Sequence, residues 1–389
     1  RFRNSNFDSI STETIALNMD WPAGGPPVLW KMELGEGHAG AAVLAGRVYI
    51  LDYDREKEKD VLRCLSLDDG AEIWNYAYPV KIKRNHGMSR TVPAVTEKYI
   101  VTLGPKCHVH CLDPVTGKFY WMIDLVKEYQ TIVPPWYAGQ CPLIDGERVI
   151  LAPGGSALLI AVDGASGKVI WQSPNPGKWD MTHSSIIPMT FRNKKMYVYC
   201  GRGGVAGVSA EDGTILWQTD QWKISIATVP SPVIVGEDKI FLSGGYNAGS
   251  MMIRLVQEAG AIKVEMVFQL DAKVFGSPQH TPIVYEGYIY GVRPDGQMTC
   301  LNLEGKIQWT SGAKNRFGLG PYLIADRKLI MLDDSGLLSA AEAAPGGYVP
   351  LAQAKVLDGH DSWAPMALTA GRLILRDLTQ MICLDLTAK

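Results

Sequence analysis

The chain has 389 residues, enough for two or three ordinary domains or one large repeat array, and it carries 40 Gly, 23 Pro, 11 Trp and 16 Tyr. Turn formers and large aromatics in that proportion favour many short strands over helices. Lys plus Arg number 38 against 40 Asp plus Glu, a formal charge of −2, so there is no field for a polyanion and nucleic acid is set aside as a partner.

Residues 1–25 read as an N-terminal extension without a signal peptide, and the opening at Arg1 is consistent with a leader removed by processing. No apolar run reaches the roughly 18–20 residues that a membrane-spanning helix needs. PPVLWKMEL, residues 26–34, then has the pattern of a strand bearing Trp30 but no neighbouring strands of its own. The charged run DREKEKD (Asp54–Asp60) mixes both signs and reads as a solvated hairpin tip.

From Cys64 a pattern begins that recurs. CLSLDDGAEIW (Cys64–Trp74) is a strand, a tight turn ending in Gly, a second strand and a Trp. It returns as CLDPVTGKFYW (Cys111–Trp121), AVDGASGKVIW (Ala161–Trp171), GVSAEDGTILW (Gly207–Trp217) and CLNLEGKIQW (Cys300–Trp309). The turn's last position needs a positive φ, which Gly alone adopts without strain. The tryptophans at 30, 74, 121, 171 and 217 are 44, 47, 50 and 46 residues apart, and the next, at 309, follows after twice that interval. One degenerate copy therefore lies near Val267 and Phe268, and a second at GGYVPLAQAKVL (Gly346–Leu357). A period of about 40–50 residues built from four short strands marks a propeller blade.

The other half of each unit repeats as a small residue or Pro, an apolar pair, a turn and a strand, as in GQCPLIDGERVILA from Gly139 and QHTPIVYEGYIYGV from Gln279. These halves start near residues 39, 91, 140, 184, 230, 280, 319 and 363. The eighth lacks a Trp-bearing last strand, and residues 26–34 supply one. The expected fold is all-β: an eight-bladed β-propeller of four-stranded antiparallel blades, closed by the N-terminal strand on the last blade. It is read as a single domain over 1–389, and closure removes edges that would invite aggregation.

Blades with D-x-x-[TS]-G-x-x-x-W, at Asp113–Trp121 and Asp163–Trp171, resemble the quinoprotein-type repeat of pyrroloquinoline-quinone (PQQ) dehydrogenases. They are similar as well to the eight-bladed propeller lipoprotein of the bacterial outer-membrane barrel-assembly machinery. The resemblance runs from Val28 to Leu386 and implies that Trp74, Trp121, Trp171, Trp217 and Trp309 dock onto neighbouring blades. No Asp follows a blade Trp, which sets the WD40 repeat aside. The resemblance to the dehydrogenases implies PQQ held between a Trp and a disulfide of adjacent cysteines, beside calcium. Here the nearest cysteines, Cys107 and Cys111, are four apart, so no cofactor is expected, PQQ with calcium being the alternative.

Register also places the seven cysteines. Cys64, Cys111, Cys300 and Cys383 share a slot held by Ala161 and Gly207 in other blades, which marks it as a slot for a small buried residue. No C-x-x-C spacing exists, His108 and His110 project away from Cys107 and Cys111, and no metal is expected.

In a propeller the loop leading into each first strand lines the mouth of the central channel, and function is sought there. Five of the seven histidines, His38, His86, His183, His280 and His360, fall in these lead-in loops. Four of these, His38, His86, His183 and His280, form the candidate ligand set with Arg90, Trp136, Arg316 and Trp363. Imidazole, guanidinium and indole suit a sugar or another hydroxylated small molecule through hydrogen bonds and stacking. SGGYNAGS (Ser243–Ser250) precedes a strand rather than a helix and reads as a hairpin loop, not a phosphate cradle.

The expected function is that of a non-catalytic propeller of the cell envelope, periplasmic and monomeric, which binds a partner protein or a glycan or small hydroxylated ligand at the mouth. The alternative is an oxidoreductase of the quinoprotein type, or a lyase, acting on a sugar or alcohol with mouth His and Arg as acid, base and anchor.

Overall fold

A computed structural model of the protein describes residues 2–387, so the ends of the expected domain, residue 1 and residues 388–389, lie outside the described residues. Among the described residues the backbone forms thirty-two strands, paired antiparallel in eight four-stranded sheets, and one short helix. Seven sheets run first to fourth strand in chain order. The eighth is completed by Val28–Glu33, which pairs with Gln380–Asp385. The chain is an eight-bladed β-propeller.

First strands begin at Ala42, Ala94, Leu143, Ile187, Val233, Ile283, Tyr322 and Ala367, each three or four residues after the start expected from the repeat. The offset is the approach to the ladder. Gly40, for example, passes so close to blade 8 that a Cβ there would lie 2.6 Å from the Pro365 carbonyl oxygen. Both degenerate copies are fourth strands, Ala261–Leu270 in blade 5 and Pro350–Lys355 in blade 7. The charged run caps the hairpin between Arg47–Asp54 and Lys59–Ser66, and the Gly-rich segment joins Lys239–Gly244 to Gly249–Glu258.

Packing divides the chain into two compact units, each taken by itself below. The first comprises the residues up to Glu97, Val115–Gly117 and the residues from Ile283 on; the second comprises Lys98–Pro114 and Lys118–Pro282. Within the first, the core lies between blades. Leu329 and Met331 pack with Tyr290, Val292 and Trp309 of blade 6, while Ile330 and Leu332 pack with Leu373, Leu375 and Ile382 of blade 8. Successive side chains of a strand point to opposite faces, so a strand covered on both faces reads as the unbroken apolar run KLIML. Within the second unit, Met196 and Val198 of blade 4 meet Ile240, Leu242 and Ile253 of blade 5 in the same way.

The small slot and the Trp belong to one device. Trp74 stands opposite Cys64, Trp121 opposite Cys111, Trp171 opposite Ala161 and Trp309 opposite Cys300, each beside a bulge in the ladder. The indole then leans on the turn glycine of the next blade. A Cβ on Gly117 would come within 2.7 Å of Trp74, on Gly167 within 2.7 Å of Trp121, and on Gly213 within 2.5 Å of Trp171. Gly at the turn is therefore required by its φ and by the indole resting on it. Indole N–H groups close the contact: Trp74 donates to the Val115 carbonyl at 2.9 Å, Trp121 to Gly164 at 2.8 Å and Trp309 to Ala344 at 2.8 Å.

Trp217 departs from this pattern. Its partner Gly207 leaves room for the indole over its own strand, where a Cβ would lie 2.1 Å from Nε1, and that nitrogen donates to the Met196 sulfur at 3.2 Å. Blade 5 offers no repeat turn to receive it, because its third and fourth strands continue to Glu258 and from Ala261 in a long hairpin. The ring still packs against that blade through Ile253, Leu255 and Ile262.

Two features have no counterpart in the repeat. The extension is fastened to blades 7 and 8: Ser11 N donates to Ile324 O at 2.7 Å, Leu17 N to Asp326 Oδ2 at 3.0 Å and Asn18 N to Leu386 O at 2.8 Å, and Leu17 is buried among blade 7 and 8 leucines. Helix Leu125–Tyr129 follows the fourth strand of blade 2, its first turn capped by Asp124 Oδ1 accepting from Lys127 N, and it ends at Gln130 with φ 58°.

Candidate functional site

In the first unit four of the expected residues come together. The loop 35–41 runs beside 86–89: Met88 N donates to Glu36 O at 3.0 Å and His38 N to Ser89 O at 2.6 Å. His38 is buried, and its ring stacks on Trp363 with centroids 4.9 Å apart and planes 25° apart. Its Nε2 lies 2.9 Å from the His86 carbonyl oxygen, which also accepts from Arg90 Nη2 at 2.6 Å. Burial, with the Arg90 and Arg376 charges adding to it, pushes the His38 pKa down to about 3. The imidazole is therefore neutral and donates its Nε2 hydrogen to His86 O. Gly87, at φ 78°, is needed beneath it, since a Cβ would meet the ring at 3.1 Å.

Trp363 is anchored in turn. Its Nε1 donates to Asp334 Oδ1 at 2.8 Å, and the same oxygen accepts from Leu319 N at 2.7 Å. Behind the loop, the buried guanidinium of Arg376 donates to the carbonyls of Gly35 at 2.9 Å and Leu378 at 3.2 Å. Burial lowers its pKa to about 10, opposed by Asp52 and Asp377, so it is a cation at any ordinary pH. His38, Arg90 and Trp363 are thus spent on holding the loops, and the exposed member of this group is the side chain of His86. Arg316 belongs to the same unit but stands apart, exposed, with its backbone bridged to Gln297.

In the second unit Trp136 and His183 form a pair, ring centroids 6.4 Å apart. The backbone at Trp136 and Tyr137 is left-handed, φ 62° and 72°, a costly conformation for aromatic residues that persists where surrounding structure holds it. His183 N donates to Thr228 O at 3.0 Å, and Gly139 makes room for the ring, because a Cβ would lie 2.5 Å from His183 Cδ2. His280 is buried, its carbonyl accepting from Ser277 Oγ at 2.8 Å.

Asp334 and Arg376 were not legible in the sequence as partners of these loops. Arg376 ends the run RLILR, whose length alone hints that both faces are covered. Asp334 sits in a polar turn, DDSG, that looks like any other hairpin punctuation.

The sequence profile of the family described as outer membrane protein assembly factor BamB matches residues 57–311. The chain belongs to that family. BamB of Yersinia pestis is 23% identical over 282 residues, 69% of this chain and 67% of that protein. The structure of BamB from Moraxella catarrhalis superposes with a TM-score of 0.62 at 13% identity, over 92% of this chain and 99% of that one. The quinohemoprotein alcohol dehydrogenase ADHIIG from Pseudomonas putida HK5 superposes with a TM-score of 0.52 at 11% identity, over 99% of this chain and 79% of that one. The two structural likenesses are likenesses of fold.

Within the BamB family fold, the residues of this chain do not fit a quinone held in the dehydrogenase manner. All seven cysteines are buried and free, and no two are adjacent. Burial pushes the Cys107, Cys111 and Cys200 thiols up to about 12. Among the described residues no group of three His, Cys, Asp or Glu side chains could hold a metal ion.

Proposed function

We propose that this BamB-family chain is a non-catalytic propeller of the cell envelope that takes a partner protein on its lead-in loops. The observation that carries the proposal is the match of residues 57–311 to an outer membrane assembly factor family. The loops support it physically. His38, Trp363, Asp334 and Arg376 lock the lead-in loops of the first unit and leave His86 exposed on a rigid base. A surface held in this way loses little entropy when a partner docks. The same side-chain types would hold a hydroxylated small molecule, which is the competing occupant.

The test places a photocrosslinking residue at position 86 of the full-length protein in its own cell envelope, with a control at the exposed Val349. Crosslinks from position 86 to an outer membrane assembly protein, absent from position 349, are expected. Turnover of sugars or alcohols by the purified protein with a quinone acceptor would overturn the proposal.

A further inference from the structure

We infer that the second unit carries a separate binding cleft for a small neutral oligosaccharide, with Trp179 as its platform. The cleft lies between the fourth strands of blades 4 and 5 and has a volume of about 750 Å3, within the roughly 300–1,000 Å3 of ordinary small-ligand pockets. Trp179, Trp217, Gln218, Gln221, Ile262 and Val264 are among its walls.

Trp179 is built into place without serving the core. Asn175 brackets its backbone, with Oδ1 accepting from Trp179 N at 2.9 Å and Nδ2 donating to Trp179 O at 2.9 Å. Three glycines make room for the indole: a Cβ on Gly203 would lie 2.0 Å from Nε1, on Gly177 2.5 Å from it, and on Gly201 2.8 Å from Cε3. The docking tryptophans Trp74, Trp121 and Trp309 give their N–H groups to carbonyls. Among the described residues Trp179 Nε1 has no acceptor, and the ring is half-buried at the cleft. An indole seated on glycine backbone, with its donor left over, is a preorganised surface for stacking and one hydrogen bond.

The polar groups around it decide the ligand class. Gln218 and Gln221 are exposed side chains whose amides engage no other group among the described residues, and each offers donors and an acceptor to a hydroxyl. The charges cancel locally, Lys223 with Asp220 at 3.2 Å and Lys263 with Glu258 at 2.5 Å. A ligand that is uncharged, flat on one face and ringed with hydroxyls matches an indole, two amides and an apolar wall of Ile262 and Val264. A peptide adding itself to the blade edge matches less well, because only Trp217–Thr219 of the edge strand border the cleft, against the five or six residues of an average strand.

The experiment titrates the purified protein with maltotriose, cellotriose, mannotriose and tri-N-acetylchitotriose, following tryptophan fluorescence and heat. At least one sugar is expected to bind to saturation, about tenfold more weakly in Trp179→Ala and by a smaller factor in Trp179→Phe, which keeps a ring but loses the donor. Gln221→Ala, an exposed position, is expected to weaken binding about threefold or more with an unchanged melting temperature, which keeps the result independent of any folding defect at Trp179. Absence of saturable binding to all four sugars, binding as tight as the parent's by the Gln221→Ala and Trp179→Ala proteins, or preference for a sulfated oligosaccharide or an extended hexapeptide would each overturn the inference. Crosslinking from position 86 reads the lead-in loops independently, so either proposal can fail while the other stands.

Discussion

Trp30 stands opposite Cys383 in the ladder that joins Val28–Glu33 to the last strand, the register in which Trp74 faces Cys64 within a single hairpin. Its indole N–H donates to Leu67 O at 2.9 Å, and a Cβ on Gly70 would lie 2.8 Å from its ring. The two ends of the chain thus reproduce a pairing that hairpins make locally elsewhere. Trp30→Ala removes a buried indole and its hydrogen bond, and a loss of about 3–5 kcal/mol in urea denaturation is expected, with faster amide exchange at Gln380–Asp385. A loss below ~1 kcal/mol would show that the closing strand contributes little.

Gly70 and Gly46 separate the two demands placed on turn glycines. Both have positive φ, 71° and 73°, but a Cβ on Gly46 meets nothing within 4 Å. Gly46→Ala is expected to cost about 1 kcal/mol from backbone strain alone. Gly70→Ala adds the collision with Trp30 and is expected to cost about 1–3 kcal/mol more. Equal melting temperatures for the two variants would mean that the indole yields freely.

Blade number, strand order, closure and the small slot were legible because each is written locally: a turn needs its glycine, a twice-covered strand needs an unbroken apolar run, and Trp recurs at one register. The turn of Trp217 was not legible, because it depends on blade 5 lacking the turn that would receive it. Nor was the fastening of residues 10–18 to Ile324, Asp326 and Leu386, which brings together segments that share no pattern. Of the eight candidate residues expected from the sequence, His38, His86, Arg90 and Trp363 lie on neighbouring loops of the first unit. The sequence could not show that His38 bonds the neighbouring loop at His86 O, that Arg90 bonds back to its own loop, or that Trp363 is anchored on Asp334, which belongs to another blade.

Asp60 gives a pH-dependent prediction. Its carboxyl is buried, with Oδ2 accepting from Tyr78 at 2.8 Å and Oδ1 without a partner. Burial, with a smaller contribution from Asp52, raises its pKa from 3.8 to about 7. The native state keeps this proton between those values while the unfolded chain has lost it, so stability falls as pH rises from about 4 through 7 and levels off above. Asp60→Asn mimics the protonated form. It is expected to match the parent near pH 4 and to exceed it by a few kcal/mol at pH 8, measured as urea midpoints across that range. A constant difference would mean that Asp60 does not titrate there.

His38 has the opposite sign. Its pKa is lowered to about 3, while an unfolded histidine titrates near ~6.5. As pH falls from about 6.5 towards 3 the unfolded chain takes up a proton that the native state refuses, so the contribution of His38, fully present above that range, is lost on acidification. His38→Gln keeps an N–H within reach of the His86 carbonyl and cannot titrate. The stability advantage of the parent over this variant is expected to shrink by about 2–3 kcal/mol between pH 7.5 and pH 4. Buried His110, also lowered, to about 4, is common to both proteins and cancels in the comparison. A pH-independent difference would show that His38 carries the same charge folded and unfolded, and would remove the neutral-donor role assigned to it beneath His86.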